Sequence, residues 1–146
     1  MRRIALLLGL GFALWATPAR ADRLSIGLDL GGGYWFIENA AQFDFHFKLQ
    51  VRLGSVVSVG LRPGIMLNIR GTPEFGIPVD AYFRFHVSRL YFDILGGIAF
   101  LFNPQPFRPH VGVGMGVVIY KGLALGFEGG YLMNGANVLA RLSWHF

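Results

Sequence analysis

The sequence predicts an all-β fold, an antiparallel up-and-down barrel of eight strands. Two observations lead to this prediction: apolar and polar residues alternate with a period of two, and clusters of Gly, Pro, Asn and Ser interrupt the alternation at short intervals. Because successive side chains of a strand point to opposite sides of a sheet, each strand has one apolar and one polar face. Many short strands separated by turn signals are typical of a sandwich or a barrel.

The alternation is strongest in residues 41–53, the second predicted strand. Its odd positions are apolar, and its even positions run from Gln42 and Asp44 through Lys48 to Arg52. The other seven predicted strands cover residues 23–35, 56–70, 75–87, 90–102, 109–120, 122–133 and 136–146. Taken in chain order, the polar faces of these seven strands carry Asp29, Arg62, Asp80 with Arg84, Asp93, His110, Glu128 and Arg141.

The predicted connections alternate between tight turns and slightly longer loops. If the barrel spans a membrane and its N-terminus starts on the periplasmic side, the turns at residues 54–55, 88–89 and 121–122 face the periplasm, where membrane-spanning barrels have short turns. On the other side, Pro104, Pro106 and Pro109 predict an irregular loop over residues 103–108, and Asn134-Gly135 is a two-residue hairpin signal.

Residues 1–21 have the pattern of a cleaved signal peptide. A basic start is followed by an apolar run, and the small residues Ala19 and Ala21 fit cleavage before Asp22. The mature domain is then residues 22–146. Three arginines leave with the signal, so the net charge falls from +5 to +2 and a nucleic-acid partner loses its main support. The absence of cysteine excludes a disulfide framework and a thiolate metal site.

The glycines and aromatic residues predict which face of the barrel is inside. A soluble barrel of the lipocalin kind would turn its apolar face inward. Here the polar face is rich in glycine, which fits a narrow interior better than a face in water. These glycines are Gly27, Gly31, Gly33, Gly60, Gly64, Gly97, Gly112, Gly114, Gly116, Gly126 and Gly130.

The apolar face carries aromatic residues near both ends of the strands, as membrane-spanning barrels do at the two interfaces. The outer set is Tyr34, Phe36, Phe43, Phe75, Phe102 and Tyr131, and the periplasmic set is Phe85, Phe92, Tyr120, Trp144 and Phe146. The prediction is therefore an eight-stranded antiparallel up-and-down transmembrane β-barrel whose polar side chains line the lumen.

The last predicted strand alternates Val138, Ala140, Leu142, Trp144 and Phe146. With the signal peptide and the strand count, it resembles the small bacterial outer-membrane β-barrel proteins, built like OmpX or the transmembrane part of OmpA. The resemblance implies export through a Sec-type signal and residence in the outer membrane among lipid and lipopolysaccharide. It also implies that Leu142, Trp144 and Phe146 are the terminal signal read by the barrel-assembly machinery, and that the protein is a monomer.

The inward charges are nearly balanced in sign, and buried charges are costly unless they are paired. We therefore expect a lumen ion-pair network of Asp29, Asp44, Lys48, Arg52, Arg62, Asp80, Arg84, Asp93, Glu128 and Arg141. Strand depth groups Glu128, Arg141, Asp29 and Lys48 near the middle, with Arg84 and Asp93 as a second pair.

Glycines on three consecutive strands leave one wall of the predicted lumen almost bare. Either long side chains, Tyr82, Arg84, Arg62 and Arg141, cross to cover this wall, or water fills the space. The first alternative predicts a closed, structural or adhesive barrel, and the second predicts a narrow pore or small-ligand channel.

Catalytic and metal sites have weaker support in the sequence. Ser143 and His145 are neighbours near the periplasmic rim, but no carboxylate is expected at their depth, so a lipid-modifying triad is incomplete. His46 and His110 are expected near one end, with His86 and His145 near the other. The repeat Gly112-Val113-Gly114-Met115-Gly116 lacks the following helix of a phosphate-binding loop. We expect no cofactor, no metal and no enzyme activity.

Overall fold

The eight predicted strands form a closed antiparallel barrel in which each strand pairs with its neighbours in chain order. The computed structural model describes residues 24–102, 106–132 and 135–146. The barrel closes where β1 meets β8, from Gly27 opposite His145 to Trp35 opposite Asn137. The predicted fold class is confirmed. The predicted signal peptide, including Ala19 and Ala21, lies outside the described residues.

The strand bounds are β1 Leu24–Trp35, β2 Ala40–Leu53, β3 Val57–Arg70, β4 Thr72–Val87, β5 Leu90–Leu101, β6 Phe107–Tyr120, β7 Leu123–Leu132 and β8 Gly135–His145. No helix in the described ranges is long and apolar enough to cross a membrane.

Two strands begin at least two residues earlier than predicted. β4 starts at Thr72, because Gly71 has a positive φ of 71° and turns the chain in one residue, so that Arg70 pairs with Thr72. β6 starts at Phe107 and contains Pro109, opposite Ile98 of β5, so the strand includes residues 107–108, which were predicted as loop.

The barrel has two unlike ends. We call the end with residues 54–56, 88–89 and 121–122 the turn end, and the end with residues 36–39 and 71 the loop end. At the turn end, Ser88 and Lys121 have positive φ values of 59° and 27°, which tight reversals of direction require.

The apolar face lies outside, as the glycines and aromatic residues predict. In β2 the even positions from Gln42 to Gln50 are buried, and the odd positions from Phe43 to Leu49 are exposed. The predicted aromatic residues of both sets are exposed on the outer surface, from Tyr34 at 38% to Phe146 at 69%. An outer wall this apolar matches the hydrocarbon-facing band of membrane barrels.

Candidate functional site

The middle of the lumen is filled by charged and polar side chains, beside a buried apolar cluster of Trp35, Met66, Ala99, Leu101 and Leu132. An eight-stranded barrel is just wide enough for side chains to fill its interior. Because inward residues recur every second position, each strand directs alternate residues into this narrow space, and many of those with long side chains are polar or charged. The candidate functional site is the resulting ion-pair network.

The centre of the network is Glu128 on β7, which accepts hydrogen bonds from two arginines. Arg62 on β3 approaches with Nη1 2.7 Å from Oε2, and Arg141 on β8 with Nε 2.6 Å from Oε2. Arg62 also reaches Asp80 on β4, with 2.8 Å between Nη2 and Oδ2. Because β3 and β7 are separated by three intervening strands on either side, the Arg62–Glu128 pair spans the lumen.

Asp29 on β1 joins this centre to the turn-end half of the lumen. Its Oδ2 lies 3.1 Å from Lys48 Nζ, and it lies 3.6 Å from Arg62 and 3.5 Å from Arg141. Ser143 donates a hydrogen bond of 2.7 Å to the other oxygen, Oδ1. The predicted mid-barrel group of Asp29, Lys48, Glu128 and Arg141 is brought together, with Arg62 added.

Asp44 extends the network toward the loop end. Its Oδ2 lies 3.2 Å from Arg141 Nη2, and Gln42 donates from Nε2 to Oδ1 at 3.1 Å. Asn137 in turn donates to Gln42 Oε1 at 3.3 Å. The neutral amides of Gln42 and Asn137 therefore continue the hydrogen-bonded chain from Asp44 toward the loop end.

Arg84 and Asp93 form the second predicted group, nearer the turn end. The guanidinium makes two hydrogen bonds to the carboxylate, Nε to Oδ1 and Nη2 to Oδ2, each 2.7 Å long. Its carbon Cζ lies 3.9 Å from the centre of the Tyr91 ring, a cation–π distance. This fork geometry is available to arginine and not to lysine.

The charges of both groups are almost completely removed from solvent. Asp29 and Asp80 are 0% exposed, and Lys48, Arg62 and Glu128 are each 2% exposed. Removing one partner from such a pair leaves an unpaired buried charge and costs about 3–5 kcal/mol. The network is therefore a strong constraint on how the lumen side chains are arranged.

Arg52 is not part of the network, contrary to the prediction. It is the second-last residue of β2, its side chain is exposed, and Nη2 donates to the backbone carbonyl of Ser55 at 3.0 Å. The two-residue period assigns Arg52 the inward face correctly. At this depth, however, the strand has already passed the rim of the lumen.

Tyr91 and Leu95 cover the glycine wall, and sequence reasoning missed both. A Cβ added at Gly116 or Gly126 would collide with the Tyr91 hydroxyl, and one added at Gly112 would lie 3.2 Å from Leu95. Both residues share the inward face of β5 with Asp93, so the period of two could have found them. Arg62 does cross the lumen, as one of the two alternatives requires.

The four histidines are dispersed among different partners. His110 Nδ1 lies 3.0 Å from Asp80 Oδ1, and His46 Nδ1 lies 3.4 Å from Arg141 Nη1. Toward the turn end, His86 lies 2.9 Å from Ser58 Oγ, and His145 lies 3.1 Å from Arg84 Nη1. No cluster of three or more potential ligands among His, Cys, Asp and Glu occurs in the described part of the chain.

A carboxylate does lie at the depth of Ser143, which the sequence did not indicate. Asp29 is directly opposite Ser143 in the β1–β8 pairing and accepts a hydrogen bond from its hydroxyl. The hydrogen bond of Ser143 is therefore to the carboxylate rather than to His145. In a catalytic triad the serine bonds to the histidine and the histidine bonds to the carboxylate, so the histidine must lie between the other two groups.

An interior cavity of about 10 Å³ lies between the network and the loop end. It is lined by Gln42, Asp44, His46, Met66, Pro78, Asp80, Ala99, His110, Leu132, Asn137 and Arg141. A single water needs roughly 10–15 Å³. The space beside the network is therefore of the order of one water molecule.

Comparison with known proteins places the fold. No family model matches the sequence, and no curated protein matches it. Among solved structures, a de novo designed transmembrane β-barrel is 17% identical, with a TM-score of 0.66 over 84% of this chain and 95% of the other. The designed barrel TMB2.3 is 14% identical, with a TM-score of 0.60 over 86% and 97%.

A natural barrel is also similar to this chain. The N-terminal β-barrel domain of Pseudomonas aeruginosa OprF is 14% identical, with a TM-score of 0.57 over 84% of this chain and 97% of that domain. The protein thus has the architecture of the small eight-stranded outer-membrane barrels. At these identities the likeness concerns the fold.

Proposed function

We propose that the protein is an integral outer-membrane barrel with a structural role, whose lumen is closed to ions by its own side chains. The observation that carries this proposal is the bridge from Arg62 through Glu128 to Arg141, which spans the lumen at contact distances of 2.6–2.7 Å. An ion moving along the barrel axis would have to separate these buried charges. Doing so costs several kcal/mol for each pair.

The proposal includes the orientation and surroundings of the barrel. The loop end faces the outside of the cell, the turn end faces the periplasm, and the outer surface contacts lipid and lipopolysaccharide. Leu142, Trp144 and Phe146 are exposed on that surface at 40%, 55% and 69%, as a terminal assembly signal requires. The protein acts as a monomer and carries out no reaction.

The short loop-end connections favour a structural role over an adhesive one. The loop-end connections at residues 36–39 and 71 are four residues and one residue long. Binding surfaces for protein partners usually need about 800 Å² on each side. We therefore place the structural role first.

Planar-bilayer recording of the refolded protein tests the closed lumen. We expect no discrete openings from the unmodified protein across a range of voltages. The double variant Arg62→Ala with Arg141→Ala removes the bridge and is expected to conduct. Arg70→Ala, an arginine substitution at the exposed rim, is the matched control and should remain silent.

Discrete openings of the unmodified protein would overturn the closed lumen and favour the narrow pore.

Mass analysis of lipid A after expression tests the enzymatic alternative, since an altered acyl pattern would contradict the proposed lack of activity. Migration of boiled and unboiled samples in detergent gels tests whether the protein is a detergent-stable membrane barrel. Identical migration of boiled and unboiled samples, together with solubility without detergent, would contradict membrane insertion.

A further inference from the structure

The interior cavity beside the network is lined by three residues that each carry a buried polar atom without a partner. The three atoms are His46 Nε2, His110 Nε2 and Asn137 Oδ1, and none of them has a hydrogen-bond partner in the described part of the chain. The three side chains are 1%, 6% and 2% exposed. Because buried polar groups are normally hydrogen-bonded, we looked for the group that these atoms can bind together.

Two of the three atoms are also close to each other. A Cβ added at Gly130 would lie 2.7 Å from Asn137 Oδ1 and 2.9 Å from His110 Nε2. Glu128 Oε1 lies 3.9 Å from His110 Nε2, which is too long for a hydrogen bond. The absence of a side chain at Gly130 therefore leaves both atoms open to a small partner.

The orientation of the Asn137 amide follows from a carboxylate two residues away in the hydrogen-bonded chain. Because the Asp44 carboxylate only accepts hydrogen bonds, Gln42 turns Nε2 toward it, at 3.1 Å, and presents Oε1 to Asn137. Asn137 Nδ2 donates to this Oε1 at 3.3 Å. Asn137 Oδ1 is therefore the atom that faces the cavity, and it is an acceptor.

The neighbours of the two histidines determine which ring nitrogen carries the proton in the neutral form. His46 Nδ1 lies 3.4 Å from Arg141 Nη1, and a guanidinium only donates, so Nδ1 accepts and the proton is on Nε2. His110 Nδ1 lies 3.0 Å from Asp80 Oδ1, and a carboxylate only accepts, so Nδ1 carries the proton and Nε2 accepts. The cavity is therefore lined by one free donor and, with the amide oxygen, two free acceptors.

A water molecule matches this set of atoms in size and in hydrogen bonding. The cavity volume is about 10 Å³, close to the roughly 10–15 Å³ that one water needs, and a buried water typically makes about three hydrogen bonds. A zinc ion binds the lone pair of a neutral imidazole, and the proton on His46 Nε2 blocks that position. A calcium ion prefers six to eight oxygen ligands, whereas the only unpartnered oxygen among these three atoms is Asn137 Oδ1.

We propose that this cavity binds one water molecule, which accepts a hydrogen bond from His46 Nε2 and donates to His110 Nε2 and Asn137 Oδ1. The water completes a closed ring of hydrogen bonds across the lumen, in which the protein contacts are 2.6–3.4 Å long. From the water, the ring runs through His46, Arg141, Glu128, Arg62, Asp80 and His110. The water thereby connects β2 with β6, two strands that are not paired to each other.

Nuclear magnetic resonance of the refolded protein in micelles tests the site, with isotope-labelled histidine and at about pH 8, where histidine is ordinarily neutral. We expect opposite tautomers, with the proton on Nε2 in His46 and on Nδ1 in His110. We also expect a cross-relaxation peak between the Nε2 proton of His46 and water, with the sign of a bound water rather than of proton exchange. These signals are measured without recording conductance, so their outcome is separate from that of the closed lumen.

A pair of alanine substitutions tests the position of the water. Ala99 lines the cavity and is 1% exposed, so Ala99→Val adds two methyl groups there and should abolish the water peak of His46. Ala124 is also 1% exposed but does not line the cavity, and Ala124→Val should leave the peak unchanged. Heat-dependent gel migration checks the folding of both variants. If Ala99→Val does not fold, the tautomers and the water peak of the unmodified protein decide the question.

Four results would overturn the proposal. They are a proton on Nδ1 of His46, the absence of a bound-water peak at His46, a peak that survives in folded Ala99→Val, and parallel shifts of both histidine signals on addition of zinc chloride. The last result would identify a metal site in place of the water.

Discussion

Arg62 and Glu128 are 66 residues apart in the chain and lie on strands at opposite sides of the barrel, yet Arg62 Nη1 is 2.7 Å from Glu128 Oε2. A second hydrogen bond joins Nη2 to Oε1 at 3.3 Å. The pair is almost fully buried, and Arg141 approaches the same carboxylate from β8. One carboxylate thus connects three strands through the centre of the lumen.

Replacing Glu128 with Gln should destabilise the barrel strongly. The substitution preserves shape but leaves Arg62 and Arg141 without their shared counter-charge, and we expect a loss of about 3–5 kcal/mol in the free energy of unfolding. Urea titration of the protein in micelles or vesicles measures this. Glu74→Gln at the exposed rim is the control and should change stability by less than about 0.5 kcal/mol.

Arg84 should be irreplaceable by lysine, because its guanidinium makes two hydrogen bonds to Asp93 at once. We expect Arg84→Lys and Arg84→Ala both to lose stability, by at least about 1.5–3 kcal/mol for the charged hydrogen bonds. A double-mutant cycle with Asp93→Asn isolates the pair. A coupling energy near zero would show that the two side chains do not interact in solution.

Arg52→Ala is the matched control for Arg84→Ala. Both arginines lie in the turn-end half, but Arg52 is exposed and bonds only to the backbone carbonyl of Ser55 among the described residues. We expect its loss to change the free energy of unfolding by at most about 0.5 kcal/mol. A large effect would indicate that Arg52 joins the network after all.

Two glycines on β7 should respond oppositely to alanine. At Gly126 an added Cβ would lie 2.5 Å from the Tyr91 hydroxyl oxygen and 2.7 Å from the Met115 carbonyl oxygen, whereas at Gly129 it would meet no atom within 4 Å. We expect Gly126→Ala to cost about 1–3 kcal/mol through overpacking. Gly129→Ala should be neutral or slightly stabilising, and the folded fraction on unboiled gels and urea titration distinguish the two.

An arginine placed on the outer surface tests whether that surface faces hydrocarbon or water. Val113 is 62% exposed in the middle portion of β6, and Val113→Arg should cost about 2–4 kcal/mol if that surface faces hydrocarbon. Val56→Arg lies in a turn-end connection, where a charge near the membrane–water interface should cost only about 0–1 kcal/mol. Equal, small effects of both variants in lipid vesicles would contradict membrane insertion.

The strands, their order and their faces were largely predictable because they follow from a local property. A period of two needs only the residues of one strand, and it assigned Asp29, Glu128 and Arg141 to the interior without knowledge of their partners. The early start of β4 was not predicted, because it depends on the positive φ of Gly71, a backbone conformation that the alternation does not encode.

The candidate site was predictable as a set of residues and only in part as a set of contacts. Arg84 and Asp93 could be paired because their strands are adjacent and their depths are equal. Tyr91 was missed because it looks like another aromatic residue of the barrel ends, although it shares the inward face of Asp93. Whether its ring covers glycines on β6 and β7 depends on how far the side chain reaches across neighbouring strands.

The amino-acid sequence by itself determined that this protein is a barrel of eight strands, which side chains point inward and which face is apolar. Those properties depend on neighbours one or two positions apart. Only the tertiary structure decided that Arg62 crosses to Glu128, that Arg52 falls beyond the rim and that Tyr91 covers glycines of two neighbouring strands. Depth, stagger and the distance across the lumen arise only when the barrel closes, because closure links the tilt and register of all eight strands.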